Sequence, residues 1–211
     1  YAGFSPKCLR YSSSGKTHGS IDCHDALKVS CNYFFYVLGD RMNLEDIDNT
    51  AKGLGLGEPT GIELVEKTGT LNTKEQKRKV YGTGVNANFS AGDRILGAIG
   101  QGENRFTPMQ LAVYASTLAN KGTRMKATFL NRVVSTDYRS LVRDNEPAIM
   151  SKMDISDEAY QAYSEGMQRV AGESGGTAYS TFKNYPIAVC AKTGTPQTGR
   201  VVGSDNGAFI C

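Results

Sequence analysis

Two lysines in this chain head the same tetrapeptide, Lys-Thr-Gly-Thr: Lys67 to Thr70 in "ELVEKTGTLN" and Lys192 to Thr195 in "AVCAKTGTPQ". Four identical residues rarely recur by chance in a chain of 211. The residue types suit an anion site: lysine brings a cation, the threonines bring hydroxyls, and glycine lets another chain approach closely. Neighbours distinguish the copies. The later one follows Ile187 to Ala191, five positions without a polar or charged side chain beyond a thiol, and "GAFIC" comes after it. A sheet can therefore hold Lys192, Thr193, Gly194 and Thr195, although an edge strand ending in a turn fits those residues equally well. The earlier copy directly follows Glu66 and precedes "NTKEQKRK". It reads as a solvated turn after a short strand, Gly61 to Leu64.

Two serines also have neighbours that could make them reactive. Ser13-Ser-Gly-Lys16 fits S-x-x-K, in which a serine nucleophile and a lysine base share one helix face. No apolar stripe surrounds it that could keep Lys16 dry, so a surface loop is the better reading. The same stretch fails as a phosphate-binding loop because Arg10 stands where a glycine belongs. Ser30-Cys-Asn32 is an S-x-N, and alone it carries almost no signal: a serine on a helix is usually bonded to its own backbone. "GLGLGEPTG" (53–61) resembles a dinucleotide fingerprint, but Glu58 replaces the third glycine and no clear strand precedes it.

The elements that must position these residues follow from periodicity and caps. An amphipathic helix is expected from Asp25, with Asp22 as cap or first-turn acid and Ala26, Val29, Tyr33 and Val37 on one stripe that also carries Ser30. A second short helix spans Leu44 to Lys52. Residues 1–20 and 71–94 read as loop and irregular polar chain. "TPMQ" (107–110) combines an N-cap threonine, a proline at the first helical position and a glutamine at the third, which is a capping box. Leu111, Tyr114, Ala115 and Leu118 form that helix's apolar face, and "NKG" (120–122) ends it. Thr128 to Ser135 reads as a strand. Another helix starts near Ser156 and buries Tyr160, Tyr163, Met167 and Val170. "YPIAVCAKTGT" is a strand, a loop covers Pro196 to Asn206, and "GAFIC" begins the next strand. Helices first and an antiparallel hairpin last give an α+β fold.

Composition narrows the function. Charged residues are 21% of the chain and hydrophobic ones 39%, with a net charge of +3, as in ordinary globular proteins. The one dense basic run, "KEQKRK", has no interleaved aromatics and reads as a solvated loop, so no nucleic-acid partner is expected. No apolar run is long enough to span a membrane, "YFFYVLG" included, and the first residues show no signal peptide. Five cysteines form an odd set without a C-x-x-C pair, which argues against a disulfide framework or a zinc ribbon. Cys8, Cys23, His18 and His24 read as surface loop residues rather than metal ligands. No metal and no cofactor is expected.

S-x-N followed 162 residues later by K-T-G is the motif order of penicillin-binding proteins and serine β-lactamases. With "HGSIDCHDALKVSCNYFF", "GLGEPTGIEL", "AIGQGENRFTPMQLAVYASTLANKG" and "GGTA", nearly the whole chain resembles the class B penicillin-binding proteins, monofunctional cell-wall transpeptidases. The resemblance implies an incomplete transpeptidase fold, with residues 1–211 a partial domain truncated at both ends. It assigns the earlier Lys-Thr-Gly-Thr to a connecting turn and "SSSGKTHG" to a loop. The family's S-x-x-K serine lies several tens of residues upstream of S-x-N, so the nucleophile is expected to be missing here. Ala191 stands where many relatives have glycine.

In the intact enzyme the resemblance implies a serine acyl-enzyme formed from the D-alanyl-D-alanine end of a peptidoglycan stem peptide and passed to an amine on a neighbouring stem, with β-lactam antibiotics as mimics. Ser30 would relay a proton to the leaving group, and Asn32 would hold the substrate amide or the lysine of the missing motif. Lys192 would supply positive charge, Thr193 and Thr195 would bind the substrate carboxylate, and the Thr195 backbone would give one oxyanion donor. A β-lactamase or β-lactam sensor of the same fold is the rival enzyme; a non-catalytic scaffold piece is the rival outside enzymes. The parent is expected at the extracytoplasmic face of a bacterial membrane, anchored there in a cell-wall synthesis complex. The exposed edge of "GAFIC" invites pairing with a second copy.

Overall fold

The computed structural model describes residues 5–196 and 207–211, and its helices and short antiparallel ladders make it α+β. The chain divides into two units. One comprises Tyr1–Asp48, Asn72–Asn104 and Ile155–Cys211; the other comprises Asn49–Leu71 and Arg105–Asp154.

In the first unit, α1 (Leu9–Ser14) is a single exposed helical segment closed by Gly15 in the left-handed region, where a loop was expected. The long helix expected from Asp25 is two helices. The first, α2 (Cys23–Lys28), starts where the Asp22 carboxylate accepts the Asp25 N–H, as its cap position predicts. It ends at Val29, and α3 (Asn32–Arg41) begins three residues later; α4 (Leu44–Gly53) follows it in the chain, where a short helix was expected. The break has a defined geometry. Ser30 N–H donates to Leu27 O and Cys31 N–H to Ala26 O, while Ser30 itself has φ 52°. That pair of bonds is a Schellman motif with serine at the position usually held by glycine. Ser30 therefore lies in a tight left-handed turn, not on a helical stripe.

α8 (Asp157–Gly172) begins with Ser156 capping the Ala159 N–H, and Asp157 and Glu158 occupy its first turn. It packs on α2 through Gly166, where a Cβ would meet Leu27 Cδ1 at 2.6 Å. Lys28–Glu173 at 2.8 Å and Arg169–Asp25 at 3.4 Å flank this contact. Below it, Val170 and Ala171 of α8 bury with Ala178 and Ala191. Ala178 precedes α9 (Tyr179–Phe182), and Ala191 precedes β5 (Lys192–Gly194). β5 pairs antiparallel with β6 (Ala208–Ile210) in register Lys192↔Ile210, Thr193↔Phe209 and Gly194↔Ala208. The expected strand from Tyr185 is therefore short. Its apolar stretch is irregular, and Ile187 is 67% exposed. Most of the expected loop, residues 197–206, lies outside the described residues.

The polar region 71–94 is not irregular. It holds α5 (Lys74–Tyr81), a 3₁₀ turn at Val85–Ala87 and α6 (Ala91–Gly97). Thr73 caps α5 by accepting the Gln76 N–H, and Ser90 with Asp93 forms a capping box on α6. "KEQKRK" is thus helical, with Lys77 paired to Asp93 at 2.6 Å. Burial would raise the Asp93 pKa, but Lys77 and Ser90 outweigh it and hold the carboxyl below its usual range. Buried Asn72 joins the segment's ends: its amide donates to Asp93 O, and its Oδ1 accepts from the Glu103 N–H.

In the second unit, α7 (Pro108–Ala119) has the expected capping box, with Thr107 accepting the Gln110 N–H and Gln110 accepting the Thr107 N–H. Its most buried face is Gln110, Val113 and Thr117; the expected Leu111, Tyr114, Ala115 and Leu118 are half-buried. β1 (Thr123–Met125) pairs with β4 (Ile149–Lys152), and β2 (Arg132–Val134) pairs with β3 (Leu141–Asp144). The strand expected over 128–135 is only β2. Gly61 to Leu64 forms no strand; instead the Glu66 carboxylate accepts the N–H groups of Thr60 and Gly61.

Candidate functional site

Lys192 is the first residue of β5, and its ammonium donates to Ser30 Oγ at 2.7 Å, across 162 residues of sequence. It also donates to Thr193 O at 2.8 Å. Among the described residues no carboxylate pairs with it. Burial alone pushes the Lys192 ammonium below its ordinary pKa, which eases proton transfer between it and the hydroxyl. A half-buried serine in a left-handed turn, bonded to a lysine of lowered basicity, is an arrangement suited to proton relay.

The two residues are carried by different elements. Ser30 is carried by the Schellman turn at the end of α2, and Lys192 follows Ala191, which is fully buried and donates its N–H to Met167 O of α8. Since α2 also seats on α8, this one helix sets both halves of the pair.

The other expected residues fall nearby to different degrees. Asn32 is the first residue of α3; it bonds neither Ser30 nor Lys192 among the described residues, and its side chain pairs with Tyr36. Burial raises the Tyr36 pKa, and the Asn32 bond opposes that rise. Thr193 and Gly194 are in β5, while Thr195 stands just beyond it with its side chain exposed. The Thr193 hydroxyl lies 2.7 Å from that of Thr177, a residue of "GGTA" to which the sequence reading gave no role. That contact joins residues 16 apart in sequence, and the sequence signal for it was the stretch itself.

Neither S-x-x-K match joins this pair. Ser13 and Lys16 are exposed, with Ser13 Oγ donating to Arg10 O at 3.2 Å. Ser180 and Lys183, a second match, are exposed as well.

The earlier Lys-Thr-Gly-Thr is more structural than a solvated turn. Thr70 forms a β-bridge with Arg105, and Thr68 O accepts from the fully buried Gln110 amide at 2.6 Å. Lys67 points to solvent.

The cysteines also depart from expectation. All five are free thiols, but Cys8 is buried rather than on a surface loop, and Cys31 is buried with it. With His18 they bring two Sγ atoms and a ring nitrogen within 4.8 Å of one another. These are the described residues that could hold a metal ion, two sulfur donors and one nitrogen donor where a closed zinc site uses four ligands. Cys23 and His24 are not among them. Burial raises the Cys31 thiol pKa, and burial, with Arg10 adding to it, lowers that of His18.

The family model for the penicillin binding protein transpeptidase domain matches residues 5–209. The peptidoglycan D,D-transpeptidase MrdA of Haemophilus influenzae is 30% identical over 182 residues, 85% of this chain and 27% of that protein. The solved penicillin-binding protein PBP2 of Helicobacter pylori is 26% identical, with a TM-score of 0.71 over 87% of this chain and 32% of that one. A complex of the same protein with MreC matches with a TM-score of 0.69 at 26% identity, over 86% of this chain and 31% of that one. The chain thus spans 27% of the length of the first of these relatives. It belongs to the transpeptidase-domain family of penicillin-binding proteins, on the class B branch that holds MrdA and PBP2.

Proposed function

We propose that these residues are part of a peptidoglycan D,D-transpeptidase that cross-links stem peptides through a serine acyl-enzyme. The observation that carries this reading is the 2.7 Å bond between the half-buried Lys192 ammonium and Ser30 Oγ. A lysine partly shielded from water and aimed at a hydroxyl accepts and returns protons through that hydroxyl. Ser30 relays a proton to the departing D-alanine amine, then takes one from the incoming amine. Lys192 also places charge in the site. Thr193 and Thr195 bind the terminal carboxylate of a D-alanyl-D-alanine end, and the Thr195 N–H is one oxyanion donor. Asn32, turned toward Tyr36 here, holds the substrate amide or the base lysine once these are in place. The attacking serine and that lysine belong to an S-x-x-K segment outside these 211 residues, since Ser13 and Ser180 face solvent. β-Lactams enter as mimics of the D-alanyl-D-alanine end.

The parent works at the extracytoplasmic face of a bacterial membrane within a cell-wall synthesis complex. Support for that comes from the H. pylori relative, solved with MreC.

A fluorescent penicillin tests the reading. Intact mass spectrometry is expected to show no covalent label on this chain and a stable label on a longer protein beginning upstream. Label on Ser13 or Ser180 would overturn the assignment of the nucleophile. Rapid loss of label by hydrolysis from the longer protein would identify a β-lactamase instead.

A further inference from the structure

The "GGTA" stretch, residues 175–178, has no part in the chemistry above. We propose that Thr177 is a positioning residue for Thr193: its hydroxyl orients that of Thr193 toward an incoming carboxylate and so sets a preference for ligands with a free carboxyl end. The ligand's identity rests on the transpeptidase reading, whereas the coupling of the two threonines does not.

The two Oγ1 atoms are 2.7 Å apart, and either can donate. A hydroxyl has one hydrogen. A carboxylate can only accept, so when Thr193 donates to it, Thr177 must be the donor in the pair. The order Thr177 to Thr193 to carboxylate aligns the hydroxyl dipoles, each bond strengthening the next. A C-terminal amide can donate to Thr193 and does not need that order. The preference therefore comes from the direction of one hydrogen bond.

Thr177 is well placed to hold this direction because its backbone is fixed. Its N–H donates to Lys28 O at 3.2 Å, two residues before Ser30. Gly176 precedes it in a space with no room for a side chain: a Cβ would lie 2.4 Å from Val170 O. Ala178 follows, buried, and donates its N–H to Val170 O at 3.0 Å. One residue thus touches both the turn that carries Ser30 and the strand that carries Lys192. The Thr177 side chain is exposed, so water could satisfy its hydroxyl, and the bond to Thr193 adds little to stability. What it fixes is orientation.

Two measurements on the 211-residue chain test this, with Thr177→Val and Thr177→Ser as variants. The first is the set of three-bond NMR couplings that report the Thr193 χ1 rotamer. A single rotamer is expected in the parent and in Thr177→Ser, and an averaged one in Thr177→Val. Unchanged couplings in Thr177→Val, or averaged ones in Thr177→Ser, would overturn the positioning role. The second is calorimetric binding of an acetylated D-alanyl-D-alanine peptide and of its C-terminal amide. Thr177→Val is expected to weaken the acid roughly three- to tenfold, the range of one neutral hydrogen bond, and the amide by under about twofold. Equal losses for acid and amide would refute the specificity claim. If the parent chain binds neither peptide, the transpeptidase reading fails for this chain and the substrate clause falls with it, while the couplings still decide whether Thr177 positions Thr193.

Discussion

Lys67–Thr70 and Lys192–Thr195 have the same four residues in opposite roles. In the earlier copy the glycine is the residue the fold cannot change. Gly69 has φ 63°, and a Cβ there would lie 2.2 Å from Arg105 O, while its lysine is exposed. In the later copy the lysine is partly shielded and engaged, while a Cβ on Gly194 would meet, among the described residues, Ala208 alone, its Cβ at 3.5 Å and its O at 4.0 Å. A sequence motif is therefore not a site: burial, and the group the lysine meets, make it one.

Four measurements can break or sharpen this contrast. The largest effect is expected for Gly69→Ala, which forces a side chain into both a left-handed backbone and a carbonyl. It should cost about 3 kcal/mol in chemical unfolding. A loss below about 1 kcal/mol would mean that the earlier copy is not a structural lock. Next, Lys192→Ala should weaken binding of the D-alanyl-D-alanine acid roughly 10- to 100-fold by calorimetry, the scale of a charge-assisted bond, while Lys67→Ala changes it by under about twofold. Similar losses from both lysines would erase the comparison. Third, Gly194→Ala should move stability by less than about 1 kcal/mol, since its new methyl meets ordinary contact distances.

The smallest effect is the pH dependence of Lys192. Its folded pKa lies below its unfolded value, so between the two the unfolded chain binds more protons. Stability should then rise with pH across that window, up to about the unfolded pKa of 10.5. Lys192→Met should remove that rise. A rise of the same size in both proteins would place its origin elsewhere.

How much of this was legible depended on whether the deciding interaction was local. The starts of α7 and α8 could be read because Thr107, Pro108, Gln110 and Ser156 act within one turn. The pairing of β5 with β6 followed from two apolar runs around a polar loop. The caps Thr73 and Ser90 were equally local but went unread, because α5 has no fully buried face to announce a helix. The break at Ser30 was hidden for a different reason. A Schellman turn is normally signalled by glycine, and here serine takes its place. The apolar run at residues 187–191 suggests a strand, yet Ile187 is exposed and no described strand pairs with it. In the site, family motifs gave Ser30 and Lys192. That they meet at 2.7 Å, and that Thr177 reaches Thr193, depends on how α2 and the residues around β5 seat on α8, which no single stretch encodes.

The left-handed backbone at Ser30 has a consequence for anyone selecting sturdier versions of this protein. A serine with φ 52° holds about 1 kcal/mol or more of conformational strain that glycine or asparagine would relieve. A heat-tolerance screen blind to activity should therefore enrich Ser30→Gly and Ser30→Asn. Selection for chemistry would then oppose selection for durability at a single codon, with the proposed relay hydroxyl the first thing lost.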